Sequence, residues 1–184
     1  EAVNSDNGIH GCLLLRPLPG HLKTMESKLC ALLDPKKDVD GMTPVSAAGV
    51  FTGSGQGFPP CTAQACMALL DYYHIDCAGK SAAVIGRSAV VGRPAAMLLL
   101  ARNATVTVCH TGTKDVAAVT READIIITAA GAAGSLTAAH VRPGQVVVDV
   151  STNWNGVSLC GDAVFDDVYQ IVEAITPVPR GVGV

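Results

Sequence analysis

From Ser81 onward the chain alternates short, almost unbroken runs of apolar, largely β-branched residues with stretches of helical composition. Few folds accept that pattern. Ser81 to Gly86, Ala104 to Cys109, Asp124 to Ala129 and Gln145 to Val150 read as strands, and Val91 to Arg102 and Lys114 to Arg121 as helices. A strand with one wet face alternates apolar and polar residues. A strand with no polar face must be covered on both sides, as parallel strands are when crossover helices lie on each face of the sheet. The expectation is an α/β fold, a doubly wound parallel sheet of Rossmann-like type that binds a nucleotide.

The region before it reads differently. Gly8 to Leu15 is expected to form a strand running into a Pro17-Leu18-Pro19-Gly20 turn, and Lys23 to Leu33 a helix. Asp34 to Pro60, rich in Gly, Pro and Ser, reads as one long loop of the functional or mobile kind. Thr62 is expected to cap a helix running to about His74, with Asp76 to Lys80 as its exit into the first strand of the sheet.

At 184 residues, 49% of them hydrophobic, the chain can bury one sizeable core and a smaller attached lobe. Charged residues make up 16% with a net charge of −3, and no basic run is present that would track a phosphate backbone or an anionic membrane, so neither is an expected partner. The longest apolar stretches, such as Ala95 to Leu100, fall far short of the roughly 20 residues of a spanning helix. No secretory signal is visible at the start. The seven cysteines, at 12, 30, 61, 66, 77, 109 and 160, form no Cys-x-x-Cys pair, which fits small buried side chains in a reduced, cytoplasmic setting rather than a metal or redox site.

Chemistry concentrates in the turn after the first strand, Gly86-Arg87-Ser88-Ala89-Val90-Val91-Gly92-Arg93-Pro94. Gly86 permits a sharp turn, Gly92 a close start of the helix, and Pro94 suits a first helical turn. A pyrophosphate would rest on free N–H groups at that helix start. The spacing departs from G-x-G-x-x-G, so a plain strand-to-helix turn remains the competing reading. An NAD site usually carries an acid at the end of the second strand for the ribose 2′-hydroxyl. Here that position reads Cys109-His110-Thr111-Gly112-Thr113, while Arg87 and Arg93 flank the loop, a composition that suits a 2′-phosphate and favours NADP. The two arginines as solvated surface residues, and His110 as purely structural, are the alternatives.

In order and spacing these segments resemble the bifunctional methylenetetrahydrofolate dehydrogenase/methenyltetrahydrofolate cyclohydrolase family. The likeness rests on the loop above and on Asn103 to Thr107, Cys109-His110-Thr111 with Thr113, Ala123-Asp124-Ile125, Ala130-Gly131, Asp149-Val150, Gly161-Asp162 and Ile175-Thr176-Pro177-Val178-Pro179. Upstream it includes Pro17-Leu18-Pro19, Lys37-Asp38-Val39-Asp40-Gly41 and Pro60-Cys61-Thr62. The resemblance implies a remnant of an N-terminal folate-binding α/β domain over 1–60, an NADP domain over 61–175, and the start of a C-terminal segment returning to the first domain over 176–184. It also implies two lobes with NADP on the sheet, a tetrahydrofolate one-carbon derivative across the cleft, a homodimer and no metal. Asp40 would hold the pterin through its ring N–H and exocyclic amine, and is the one catalytic candidate; read without the resemblance, Asp38 to Gly41 is only a turn. Pro17, Leu18, Pro179 and Gly181 would join Asp40 at the substrate. The cofactor set would be Thr62, Gly86, Arg87, Ser88, Val91, Gly92, Arg93, His110, Thr111, Thr113, Ala130, Gly131, Thr152 and Thr176.

The implied chemistry is oxidation of 5,10-methylenetetrahydrofolate to the methenyl cation, then hydrolysis to 10-formyltetrahydrofolate. The first step needs orientation more than proton transfer, because two folate nitrogens already stabilise the cation. The second needs a tuned acid/base group. The family's lysine for that role, in a Tyr-x-x-x-Lys motif, has no counterpart: Asp76, Cys77 and Glu173 stand four residues after Tyr72, Tyr73 and Tyr169. Glu1 aligns inside the family's first domain, so the motif is expected upstream. Leu15 replaces the usual assisting glutamine, Ser151-Thr152 a common Gly-Ile, and Arg180 a glycine. Two other functions stay compatible with these departures, a related two-lobe NADP dehydrogenase with another small substrate and a non-catalytic NADP-binding or dimerisation module.

Overall fold

The computed structural model describes residues 2–15 and 18–183. The chain divides into two compact units, Glu1–Cys61 and Thr62–Val184.

In the second unit, five parallel strands form one sheet: β1 (Ser81–Ile85), β2 (Thr105–Cys109), β3 (Ile125–Thr128), β4 (Val146–Asp149) and β7 (Ala174–Ile175), in the order β2-β1-β3-β4-β7. The chain runs outward from β1 to β2, then crosses back to β3, so the order reverses between β1 and β3. Alternate side chains of the same strands enter two separate cores. Ala82, Val84, Ile125, Ile127 and Val148 pack with α4 (Cys61–Tyr72) and α5 (Gly92–Ala101). Ala83, Ile85, Ile126 and Val147 pack on the other face with Val116 and Val119 of α6 (Val116–Glu122) and Val168 of α7 (Phe165–Tyr169). That two-sided cover is why β3, Ile-Ile-Ile-Thr, is buried throughout. Each fully buried Ile or Val contributes about 1.5–3 kcal/mol over an exposed one. Strand β2 is the exception among the expected continuous runs: it lies at the sheet edge, and its threonines alternate outward. A short antiparallel pair, β5 (Asn153–Trp154) and β6 (Leu159–Cys160), follows β4.

The first unit departs further from the expectations. Gly8 to Leu15 is not a strand; a single bridge joins Cys12 to Asp38, and without a second run of backbone donors and acceptors no ladder extends from it. A one-turn helix α1 (Ala2–Ser5) precedes it, and α2 (Glu26–Leu32) continues a 3₁₀ segment over Gly20–Met25. The Lys37 ammonium donates to the carbonyls of Val3, Asn4 and Asp6, meeting the carbonyl end of α1. The supposed long loop contains α3 (Pro44–Thr52), which Gly, Pro and Ser concealed because here they serve as its caps: Thr43 Oγ1 accepts from Ser46 N–H, Pro44 opens the first turn, and Gly53 closes it at φ +65°. Nor is Thr62 a cap, since α4 already begins at Cys61. No helix among the described residues is long and apolar enough to cross a membrane.

Candidate functional site

Two places gather the polar groups. The first lies at the carboxyl ends of the parallel strands, where open α/β sheets bind ligands at the point of reversal. After β1, Gly86 adopts φ +114° and donates to the Cys109 carbonyl; a Cβ there would sit 2.8 Å from the carbonyl carbon of Ala129. Gly92 opens α5 so close to the loop that a Cβ would sit 2.6 Å from the carbonyl carbon of Gly86 and 3.0 Å from Arg87 N. The two glycines therefore bring the ends of β1 and β3 and the start of α5 together, which any side chain would prevent.

The helix start is not the bare anion site anticipated. Ser88 Oγ accepts from Val91 N–H at 3.0 Å and Gly92 N–H at 3.3 Å, and the Ser88 carbonyl accepts from Arg93 N–H. The donors left uncommitted are the amides of Arg87, Ser88, Ala89 and Val90, for which no acceptor exists among the described residues. The exposed guanidinium groups of Arg87 and Arg93 likewise have no ion-pair partner among them. At the end of β2, His110 Nδ1 accepts from Gly112 N–H and Thr113 Oγ1 accepts from His110 N–H, and Thr111 between them is exposed. Asp115, the first acid after β2, caps α6 through Ala118 N–H.

A pair of buried carboxylates on this edge escaped the sequence reading as functional groups. Asp162, with no exposed surface, accepts from Thr128 Oγ1, Ala130 N–H, Ala132 N–H, Ser151 Oγ and Asn153 Nδ2, at 2.7–3.0 Å. Asp149, at the end of β4, accepts from the amides of Asp162 and Ala163. Burial pushes the Asp149 carboxyl up and the neighbouring Asp162 carboxylate adds to this, with the two amides pulling partly the other way. Thr176 Oγ1 ties β7 to the backbone of Asp149. The available signal was the placement of Asp149 and Asp162 in otherwise apolar, glycine-containing segments, where an acid without a donor network would be costly.

Hydrogen bonds and close backbone packing thus unite Gly86, Ser88, Val91, Gly92, Arg93, His110, Thr113, Ala130, Gly131 and Thr176 of the expected cofactor set along one edge, with Arg87, Thr111 and Thr152 in the intervening loops. Thr62 is the second residue of α4, where its carbonyl accepts from Cys66 Sγ, and no hydrogen bond joins it to that edge among the described residues. Thr176 and Gly181 line a cavity of about 500 Å³ with Leu70, Tyr73, Val148 and Arg180. Pro179 follows Val178 in this segment, and Arg180 takes φ +74°, a left-handed conformation unusual for arginine.

The second place is in the first unit. Asp40, half-buried, lines a mostly apolar cavity of about 210 Å³ together with Cys12, Leu14, Leu29, Leu33 and Met42. Gly41 follows it at φ +66°, packed on the Pro59-Pro60 backbone, which brings Asp40 beside Cys61. Cys61 Sγ donates to the Val39 carbonyl at 3.0 Å; burial and the Asp40 carboxylate push its thiol up, so it stays protonated. Asp38 plays the structural part. It is buried and accepts from Met42 N–H, Thr43 N–H and Ser46 Oγ, fixing the turn and the start of α3. Burial alone would raise its carboxyl, but these bonds, led by Ser46, hold it below the usual range. Leu18 is buried, and Pro17 lies outside the described residues.

Residues 60–184 match the family model described as tetrahydrofolate dehydrogenase/cyclohydrolase, NAD(P)-binding domain. The chain belongs to this family. Among its members, the bifunctional protein FolD of Carboxydothermus hydrogenoformans is 50% identical over 184 residues, covering 98% of the chain and 63% of that relative. FolD of Delftia acidovorans is 49% identical over all of the chain and 64% of its own length. The crystal structure of the Campylobacter jejuni bifunctional enzyme superposes with a TM-score of 0.93 at 43% identity, over 98% of the chain and 64% of that protein. That of the Trypanosoma brucei methylenetetrahydrofolate dehydrogenase-cyclohydrolase, complexed with NADP cofactor and inhibitor, superposes with a TM-score of 0.90 at 34% identity, over 99% and 64%. The chain therefore spans a little under two thirds of the length of these family members, and the Rossmann-like fold expected from the strand pattern is the family's own.

Proposed function

We propose that the protein binds NADP on the carboxyl edge of its sheet and oxidises 5,10-methylenetetrahydrofolate to the 5,10-methenyl form. At the full length of its relatives it would also hydrolyse that product to 10-formyltetrahydrofolate, as a cytoplasmic homodimer. The observation that carries the reading is the β1–α5 loop, which at the point where strand order reverses presents four amides and two arginines that have no partner among the described residues. The residues fit NADP better than NAD, because the first acid after β2 is already engaged as the cap of α6.

Bound there, NADP supplies the hydride acceptor. The amides of Arg87 to Val90 would hold the pyrophosphate, and Arg87 and Arg93 the 2′-phosphate. Asp162 and Asp149 fix the loops after β3 and β4, so the edge is organised before any ligand arrives. In the first unit Asp40 would accept from the pterin ring N–H and amine, while the apolar cavity walls exclude water that would compete for those bonds. No residue of the chain needs to remove a proton in the oxidation. Hydrolysis does need proton handling, and Leu15 can neither donate nor accept, so the second activity is expected to be the weaker. The test is titration with NADP and NAD, followed by reduction of NADP in the presence of methylenetetrahydrofolate. Tighter NADP binding and nicotinamide reduction are expected; equal affinities, or bound NADP that is never reduced by the full-length protein, would refute the reading.

A further inference from the structure

Three consecutive amides after β3, those of Ala130, Gly131 and Ala132, all turn back into the protein rather than toward solvent. Asp162 takes the outer two, one on each carboxylate oxygen. The middle one, at φ +67°, is out of its reach and is taken by Ser151 Oγ at 3.1 Å, which in turn donates to Asp162 Oδ2 at 2.8 Å. Ser151 is half-buried, its neighbour Thr152 and Gly131 itself are exposed, and Asn153, the first residue of β5, also binds Asp162. One hydroxyl thus closes a bridge from the loop after β3, through a wholly buried carboxylate, to the loop after β4.

We propose that Ser151 is a positioning residue for the nicotinamide half of the dinucleotide, an inference that rests on the cofactor reading above. The adenine ribose of a dinucleotide lies toward the end of the second strand, so the other half crosses the reversal point toward the loops after β3 and β4. Those are the loops Ser151 joins. Removing the hydroxyl leaves Gly131 N–H without its acceptor and Asp162 short of one donor, while the Arg87 to Val90 amides and both arginines are untouched. The defect should therefore fall on one half of the ligand only.

The experiment compares NADP with adenosine 2′,5′-bisphosphate, which lacks the nicotinamide half, on wild type, Ser151→Ala and Ser151→Thr. Ser151→Ala should weaken NADP about three- to tenfold, the range of one hydrogen bond, and leave the bisphosphate within about 1.5-fold. Ser151→Thr, which keeps the hydroxyl, should restore NADP binding. Without ligand, amide exchange at Gly131 should quicken about tenfold in Ser151→Ala and change much less at Ala130 and Ala132. Equal weakening of both ligands, an unchanged Gly131 exchange rate, or failure of threonine to rescue would overturn the proposal while leaving the cofactor reading intact. Wild type that binds neither ligand would overturn both.

Discussion

Gly92→Ala puts the nucleotide edge under a load whose size follows from the backbone. The added Cβ would lie 2.6 Å from the carbonyl carbon of Gly86 and 3.0 Å from Arg87 N, and nearer still to the Gly86 oxygen, so the clash is with the main chain of one peptide unit and not with a side chain that could swing away. Ordinary contact requires α5 to retreat by roughly 1 Å from a strand packed through Ala95, Ala96 and Leu99, and overpacking of that kind costs about 1–3 kcal/mol. The retreat also stretches the bonds from Val91 and Gly92 to Ser88 Oγ, worth about 1 kcal/mol, while the helical preference of alanine returns at most about 1 kcal/mol. The net expectation is a loss of about 1–3 kcal/mol in urea unfolding with m unchanged, and at least about a tenfold loss of NADP affinity, because the displaced loop carries the uncommitted amides. Gly144→Ala is the control. It has φ +80° but open space around it, so it should cost only the left-handed conformation, about 1–2 kcal/mol, and leave NADP binding alone. A Gly92→Ala protein within about 0.5 kcal/mol of wild type, or one destabilised but binding NADP normally, would refute the argument that this close approach builds the site.

Arg87→Ala should narrow the preference for NADP over NAD by about 1–3 kcal/mol, read by titrating both cofactors. Asp40→Ala should abolish turnover of methylenetetrahydrofolate while NADP affinity stays within about threefold, because the carboxylate lines a cavity of the first unit and not the nucleotide edge. The lowered carboxyl of Asp38 contributes stability above the usual aspartate value that is lost as pH falls through its folded value, so the stability gap between wild type and Asp38→Asn should shrink as denaturation is measured at successively lower pH, from about pH 5 downward. Arg180→Gly should stabilise modestly, since relief of a left-handed arginine, about 1–2 kcal/mol, exceeds the added entropy of an unfolded glycine, about 0.4–1 kcal/mol; the melting temperature checks it.

Much of the second unit could be read before its structure. Runs such as Ile125-Ile126-Ile127 and Val146-Val147-Val148 admit only a strand covered on both faces, and the strand ends fell within two residues of those expected. The Gly86 to Pro94 turn was equally plain, because close backbone approach demands residues without side chains. These features are local, or are imposed by a rule about what must cover an apolar face. What only the tertiary structure decided depends on partners distant in sequence. A strand at Gly8 to Leu15 needed a neighbour that the described chain offers only at Cys12, and α3 needed Asp38, eight residues before Ser46, to hold its first turn. Ser88 took the amides that a helix start alone would have left open to an anion. Asp162 drew its donors from residues 9–34 positions away on two different segments, and a carboxylate's value as an acceptor is set by which donors surround it once water is gone, which no window of sequence contains.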